Sequence, residues 1–140
     1  MFLQRFIDAQ KGEYENALSE IKSGRKLSHW MWYIFPQIKG LGHSETSSFY
    51  AIQDRQQAEE YLQNPVLGKR LTEISNALLD LDTDDAHSIF GSPDDLKLKS
   101  SMTLFSSLPE TNPVFERVLQ KFFDGKKDDK TLKILSEEEK

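Results

Sequence analysis

The residues best suited to chemistry in this sequence occur in two separate stretches. The first, SHWMWYIFPQIKGLG at positions 28 to 42, combines a histidine, two tryptophans and two glycines. Histidine is the side chain that most readily gives and takes a proton near neutral pH. We therefore predict His29 as a catalytic residue. The ligand-binding residues predicted from this stretch are Trp30, Trp32, Gln37, Gly40 and Gly42.

Two interpretations of this first stretch stay open from the sequence alone. Every helical face of HWMWYIF is apolar or aromatic, so most of the segment must be buried. In one interpretation the run is entirely core, and both tryptophans are large core fillers. In the other, His29 and one tryptophan line a cleft, and Gly40 and Gly42 let the backbone approach a ligand closely.

The second stretch, FGSPDDLKLKSSMTLF at positions 90 to 105, predicts a helix with polar groups on its apolar side. At about 100° per residue, one face carries Leu98, Met102 and Phe105. The polar residues predicted on or beside that face are Asp94, Lys97 and Ser101, and those predicted to point away are Lys99, Ser100 and Thr103. A buried lysine needs a partner. Either Asp94 pairs with Lys97, or the face borders a pocket in which Lys97 and Ser101 meet an anionic ligand.

The sequence SPDD predicts how that helix begins. Ser92 is expected to cap it, Pro93 to be its first residue, and Asp95 to reach back to the cap. A helix N-terminus attracts anions through its free N–H groups and its dipole. The ligand-binding residues predicted here are Ser92, Lys97 and Ser101, joined by Arg25 as a phosphate clamp, and the further acid–base residues are Asp94 and Asp95.

The elements that must position these residues are helical. Apolar residues recur at helical spacing from Pro65 and again from Pro113, while sustained alternation with a period of two is absent. Asn-Pro at both places is typical of a helix start, as is the pair Asp54 and Gln57. We predict an all-α fold, a compact single-domain bundle of about six to eight short helices over residues 1–136, with a solvated C-terminal tail at 137–140.

Composition excludes several classes of function. The 140 residues include no cysteine, which excludes disulfides, a thiolate nucleophile and a cysteine-type zinc site. Three scattered histidines lack metal-ligand spacing and no glycine-rich phosphate loop occurs, so we expect no metal and no cofactor. The net charge of −5 disfavours nucleic acid and anionic membranes, and no apolar stretch approaches the roughly 20 residues of a membrane span. We expect a cytoplasmic protein with neither partner.

Several blocks of the sequence resemble a known family. They are RFIDAQ, SHWMWYIFPQIKGLG, NPVLGKRL, FGSPDDLKLKSSMTLF and FFDGKKDDKTL. From Arg5 to about Leu135, these blocks are similar to the signature of the family catalogued as domain of unknown function 1810. The resemblance implies a small, mainly helical single domain and no particular activity. Some members carry the label calpastatin, which denotes a disordered calpain inhibitor, and the aromatic core expected here contradicts disorder.

The leading functional hypothesis is a small-molecule site between the two stretches. A tryptophan would stack on a planar ring, cations and the helix start would hold a phosphate or carboxylate, and His29, Asp94 or Asp95 would supply acid–base function. A nucleotide-like ligand suits this mixture, and hydrolysis of a glycosidic or ester bond is the reaction that these groups fit best. The alternatives are a non-enzymatic protein–protein interaction module with a structural aromatic core, and a homodimer whose interface hides the aromatic run.

Overall fold

The computed structural model describes residues 2–138, and the described chain has the all-α fold that the sequence predicts. Its ten helices are α1 (Gln4–Gln10), α2 (Tyr14–Lys22), α3 (Met31–Ile34), α4 (Glu45–Phe49), α5 (Arg55–Gln63), α6 (Leu67–Leu79), α7 (Ala86–Phe90), α8 (Asp94–Ser106), α9 (Val114–Phe123) and α10 (Asp129–Glu138). Three of them, α3, α4 and α7, have only four or five residues. Pieces this short carry too few turns for periodicity to show them.

Three of the predicted helix starts are capped as the sequence indicates. The Asp54 carboxylate accepts the backbone N–H three residues on at 2.8 Å, and α5 follows. The Asn64 side chain accepts the N–H three residues on at 3.0 Å, just before α6. The Asn112 side chain accepts the N–H two residues on at 2.9 Å, just before α9. Each cap satisfies a backbone donor that the first helical turn leaves free.

The core lies around α8, which packs against α5, α7, α9 and α10, while α6 packs against α2, α5 and α9. A row of buried rings crosses this core. The centroids of Phe6 and Tyr61 are 5.2 Å apart, those of Tyr61 and Phe105 5.6 Å, and those of Phe105 and Phe115 5.7 Å. Rings at these spacings add attraction beyond their buried area. The row therefore ties α1, α5, α8 and α9 together.

Helix α8 is more deeply buried than its sequence predicts. Ser100 and Thr103, expected to point away from the apolar face, are both buried, so this expectation was wrong. The reason is that neighbouring helices cover α8 on most sides. The Thr103 hydroxyl is satisfied there: it donates to the Lys99 carbonyl at 2.8 Å and accepts the backbone N–H of Asp128 at 2.9 Å. This second bond attaches the segment before α10 to α8.

The predicted cap at the start of α8 was also wrong. The capping position is occupied by Pro93, and the exposed Ser92 makes no capping hydrogen bond. Asp95 does not reach back, because its carboxylate accepts the N–H of Leu96 at 2.9 Å. The Asp95 and Lys97 N–H groups donate to the carbonyls of Gly91 and Pro93. These backbone donors are therefore already used inside the protein.

Most of the aromatic run is covered by the chain itself. The buried residues of this run are Trp30, Met31, Ile34 and Phe35. Helix α3, from Met31 to Ile34, is a single turn. The segment that follows is held by a parallel bridge in which the N–H of Ile52 donates to the carbonyl of residue 37, and the carbonyl of Ile52 accepts the N–H of residue 39, both at 2.9 Å. The loop at 36–42 therefore has a defined position.

The C-terminal end continues as helix α10 to Glu138, so positions 137 and 138 of the predicted tail are helical and exposed. Residues 139 and 140, together with Met1, lie outside the described residues. Within residues 2–138, none of the helices combines the length and the apolar character that crossing a bilayer requires.

Candidate functional site

A buried carboxylate, Glu20 on α2, organises the loop that precedes α3. Its Oε1 atom accepts the backbone N–H groups of Leu27 at 2.6 Å and Ser28 at 3.0 Å, and the indole N–H of Trp30 at 3.0 Å. Its Oε2 atom accepts the hydroxyl of Ser28 at 2.7 Å. A carboxylate that accepts several hydrogen bonds holds its donors in one arrangement. Trp30 is therefore fixed as a core residue.

The same contacts determine the charge of Glu20. Burial by itself raises the pKa of this carboxyl, but the hydrogen bonds from Ser28, Leu27 and Trp30 outweigh burial and lower the pKa to about 2. Glu20 is consequently ionised across the physiological range. Its charge is used entirely inside the loop, so Glu20 has no role as a proton donor.

Next to this loop, Asp94 bridges two lysines. The Lys26 ammonium lies 2.9 Å from Asp94 Oδ2, and the Lys97 ammonium lies 3.1 Å from Asp94 Oδ1. Lys26 also donates to the carbonyl of Ser28 at 2.6 Å, and its side chain is only 8% exposed. The ion pair between Asp94 and Lys97 is the structural alternative that the sequence left open. The bridge attaches the loop before α3 to the first turn of α8.

Burial raises the pKa of Asp94, but hydrogen bonds from Lys26 and Lys97 and their positive charges together lower the pKa below its usual value. The carboxyl is therefore ionised near neutral pH, where it cannot act as a general acid. The geometry makes Asp94 a residue that positions two cations. Asp95 faces elsewhere, since its Oδ2 lies 3.5 Å from His87 Nδ1. The two carboxyls thus do not converge on a common reaction centre.

Trp32 lines three neighbouring cavities. The first, which we call the His29 cleft, has a volume of about 300 Å³ and is lined by Lys26, His29, Trp32, Thr46, Asp94 and Lys97 among others. The exposed ring of His29 lies at its rim. The Lys97 ammonium lies 4.1 Å from the centre of the Trp32 ring, a cation–π contact. Lys97 thus separates this cleft from the cavity on its other side.

The second cavity, which we call the lysine groove, has a volume of about 590 Å³. Among its lining residues are Trp32, Gln37, Lys97, Lys99, Lys127 and Lys130. Within residues 2–138, no carboxylate lies within 4 Å of the ammonium groups of Lys99, Lys127 or Lys130. Asp128 and Asp129 also line the groove, but the Asp128 carboxylate accepts two hydrogen bonds from Thr131 at the start of α10. With four lysines against two aspartates in its lining, the groove is net positive on an acidic protein.

The third cavity, which we call the inner compartment, has a volume of about 180 Å³ and shares Trp32, Gln37 and Gly42 with the lysine groove. Gly40, Ser47 and Tyr50 are among its other lining residues. A Cβ atom added at Gly42 would lie 2.7 Å from Ser47 Cβ and 3.5 Å from the Trp32 ring. This glycine is therefore needed for packing against the chain itself, and the predicted approach to a ligand is not its main constraint.

The structure brings most of the predicted site residues together around Trp32. The residues that line one or more of these three cavities are His29, Trp30, Trp32, Gln37, Gly40, Gly42, Asp94 and Lys97. They come from the two stretches that the sequence singled out. Within this group Trp30 is almost fully buried by the loop, so Trp32 is the tryptophan that presents ring surface to the cavities.

The structure places four predicted residues away from the three cavities. Arg25 is exposed and lines none of them, because the neighbouring Lys26 is the basic residue that turns inward. Ser92 and Asp95 also line none of them. Ser101 is fully buried in α8, and its hydroxyl has no hydrogen-bond partner among the described residues.

The residues that sequence reasoning did not select are cations. Lys26 follows Arg25 directly, and nothing local in the sequence indicates which of the two turns inward. Lys99 was expected to point away from the site. Lys127 and Lys130 lie in FFDGKKDDKTL, one of the blocks that carried the family resemblance. That block was the sequence feature that could have directed attention to Lys127 and Lys130. Within residues 2–138, no group of three potential metal ligands occurs.

Comparison with known proteins gives a family and one solved relative. The family model described as "Protein of unknown function (DUF1810)" matches residues 1–135. The chain is also similar to the crystal structure of the conserved hypothetical protein Rv1873 from Mycobacterium tuberculosis, with 41% identity, a TM-score of 0.93 and coverage of 96% of each chain. No protein with a curated description matches.

Proposed function

The chain belongs to the DUF1810 family, and from the geometry of its own cavities we propose that it binds a small phosphate-bearing molecule with a planar ring in the lysine groove. The observation that carries the proposal is a set of three ammonium groups, those of Lys99, Lys127 and Lys130, without carboxylate partners in one groove. The protein has a net charge of −5, so three such cations in one cavity are a local departure from its overall acidity.

Phosphate is the anion that this arrangement favours. Phosphate oxygens accept charge-assisted hydrogen bonds, which are about twice as strong as neutral ones. Lysine binds phosphate as a flexible point charge. Lys127 and Lys130 reach the groove from the segment around the start of α10, and Lys99 reaches it from α8. Cations from two directions can neutralise a group with more than one negative charge.

The ring of the ligand is expected beside Trp32. This side chain is partly exposed and lines all three cavities, and the apolar side chains of Leu41 and Leu96 also line the groove. Aromatic rings attract one another in offset or edge-on arrangements when their centroids are about 4.5–7 Å apart. A planar ring attached to a phosphate therefore suits the groove better than a simple sugar phosphate does.

Binding has more support than hydrolysis. Asp94 is ionised and held by Lys26 and Lys97, and Asp95 faces His87, so these carboxyls lack a shared position for a scissile bond. His29 stays at the rim of the His29 cleft, on the side of Lys97 away from the lysine groove. A general base must be within hydrogen-bond reach of the proton that it removes. We therefore propose a binding protein.

The protein-interaction and homodimer alternatives were predicted because the aromatic run needed cover. Trp30, Met31, Ile34 and Phe35 are covered within the chain, so most of that run is not available to a partner. Large apolar side chains elsewhere on the surface, such as Leu27 and Leu96, are ordinary for a folded protein. Within residues 2–138, no feature of the surface favours a protein partner over a small ligand.

The test is a thermal-shift screen of the full chain against nucleoside monophosphates, followed by titration calorimetry of those that stabilise it. The double variant Lys127→Gln/Lys130→Gln should bind at least about 10-fold more weakly, because it loses two charge-assisted contacts. The matched control is Lys22→Gln/Lys69→Gln, which removes two exposed lysines outside the groove and should bind like the wild type.

Ligand binding at Trp32 has a second readout. The chain has two tryptophans, of which Trp30 is buried and hydrogen-bonded and Trp32 lines the cavities. A ligand in the groove should therefore change the tryptophan emission of the wild type and leave that of Trp32→Phe unchanged. The proposal fails if no nucleoside monophosphate stabilises the protein at about 5 mM, where even a Kd near 1 mM would register.

A further inference from the structure

The inner compartment adds a selectivity that the lysine groove alone does not have. Resting on the proposed function, we infer that the ligand is a pyrimidine nucleotide, whose single ring enters the inner compartment and is read there by the carboxamide of Gln37. Trp32, Gln37, Leu41 and Gly42 line both cavities, so the two are adjacent parts of one site. A ligand with its phosphate on the lysines can place its ring in the compartment.

The size of the compartment selects a single ring. Its volume is about 180 Å³. An engineered protein cavity of about 150 Å³ holds one benzene molecule, so this compartment has room for one six-membered ring with its substituents. A fused purine is larger than one six-membered ring and would extend from the compartment into the lysine groove. The larger lysine groove, at about 590 Å³, has room for the sugar and the phosphate.

The polar feature of the compartment is an unused amide. Gln37 is only 8% exposed, and its Nε2 atom is buried without a hydrogen-bond partner among the described residues. Leaving such a donor unsatisfied costs about 1–3 kcal/mol, and buried polar groups in proteins are nearly always paired. An unpaired amide that lines two cavities is therefore positioned for a ligand. Other polar side chains around it are already used: the Ser47 hydroxyl donates to the Ser44 carbonyl, and the Gln53 amide donates to the Ala51 carbonyl.

The backbone of Gln37 has a fixed position. The Gln37 carbonyl accepts the N–H of Ile52 at 2.9 Å, and the N–H of Lys39 donates to the Ile52 carbonyl at the same distance. Gly42, which also lines the compartment, packs closely against Ser47. Gln37 thus belongs to a short backbone bridge that forms without the ligand. Such preorganisation lowers the entropic cost of binding.

The chemistry of Gln37 identifies the kind of ring. A carboxamide offers one donor and one acceptor side by side. Its complement is a ring edge that carries a carbonyl beside an N–H, as uracil does. Glutamine reads adenine through the same paired geometry, but the second ring of adenine would have to extend from the compartment into the groove that holds the sugar and the phosphate. Size and hydrogen bonding together therefore favour a uracil-type ring.

The test compares three probes on the unmodified full chain by titration calorimetry: uridine monophosphate, adenosine monophosphate and ribose phosphate. Uridine monophosphate should bind at least about 10-fold tighter than the other two, since only its ring fills the compartment and pairs with the amide. Gln37→Met keeps the length of the side chain and removes both polar atoms. It should reduce the affinity for uridine monophosphate about 10-fold and change that for ribose phosphate less than about 2-fold. Gln120→Met on the exposed side of α9 is the matched control.

The outcomes separate this inference from the proposed function. If adenosine monophosphate binds as tightly as uridine monophosphate, or if Gln37→Met binds uridine monophosphate like the wild type, the inference is overturned while the lysine groove remains a binding site. If none of the three phosphates binds, the proposed function itself fails. Because the ligand comparison needs no variant, the inference stays testable even if Gln37→Met does not fold.

Discussion

Replacing Glu20 with glutamine tests the organisation of the loop that carries Lys26 and His29. The carboxylate of Glu20 accepts four hydrogen bonds from Leu27, Ser28 and Trp30, all at 2.6–3.0 Å. Glutamine has nearly the same shape, but it presents an NH₂ group where one of the two accepting oxygens was. That group would meet donors instead of acceptors, and the loop would lose the interactions that hold Trp30 in the core.

The size of the effect follows from the pKa of Glu20. A fall from 4.5 to about 2 corresponds to about 3 kcal/mol of stability that the ionised form provides. The folded pKa lies below the usual value, so this stability is fully present above about pH 5 and is lost as the pH falls toward about 2. At neutral pH, Glu20→Gln should therefore unfold about 3 kcal/mol more easily than the wild type.

The assay is urea denaturation followed by circular dichroism, repeated at several pH values. The difference in unfolding free energy between wild type and Glu20→Gln should be about 3 kcal/mol at pH 7 and shrink to below about 1 kcal/mol near pH 2, because protonation removes the advantage of the wild type. Glu116→Gln, an exposed position on α9, should show a difference of less than about 0.5 kcal/mol throughout.

Two results would refute this reasoning. A loss of less than about 1 kcal/mol in Glu20→Gln at pH 7 would mean that the four hydrogen bonds do not stabilise the loop. A difference that stays constant from neutral to acidic pH would mean that the carboxylate charge is not what the loop depends on. Either result would also remove the structural argument for the position of Lys26 beside Asp94.

Three further predictions concern the site. Asp94→Asn should lower the unfolding free energy by about 2 kcal/mol at pH 7, since it leaves the mostly buried side chains of Lys26 and Lys97 without their counter-charge. The deficit should shrink as the pH falls through the lowered pKa of Asp94; chemical denaturation measures both effects, and an unchanged midpoint contradicts the bridge. Gly42→Ala should lower the unfolding free energy by about 1–3 kcal/mol in the same assay, because the new methyl group clashes with Ser47. An unchanged unfolding free energy would show that Ser47 moves aside at little cost. The affinity for nucleoside monophosphates should fall steeply as NaCl rises above about 0.1 M, and calorimetry showing no salt dependence would exclude the lysines as the phosphate site.

Much of the helical architecture was predictable because it depends on local interactions. The caps at Asp54, Asn64 and Asn112 each link a side chain to a backbone N–H two or three residues away. The periodic apolar residues of α6 and α9 became buried faces. One local prediction was wrong. The cap expected at Ser92 is absent from α8, because the backbone N–H groups of the first turn donate to the carbonyls of Gly91 and Pro93 instead.

The candidate site was predictable only in outline. The two stretches selected from residue type do meet, and Asp94 does pair with Lys97. The choice of Trp32 over Trp30 depended on Glu20, whose carboxylate lies ten residues away and binds the indole of Trp30. The burial of Ser100 and Thr103 depended on the helices around α8, which an analysis of one helix at a time does not include.

The sequence by itself determined the fold class, the starts of α5, α6 and α9, and two of the chain segments that line the cavities, because helical periodicity and capping act over a few neighbouring residues. Only the tertiary structure decided which side chains share a cavity. Trp32 and Lys130 are almost a hundred positions apart in the chain, yet they line the same groove. Such an encounter depends on how all the helices pack, and packing is a property of the whole core.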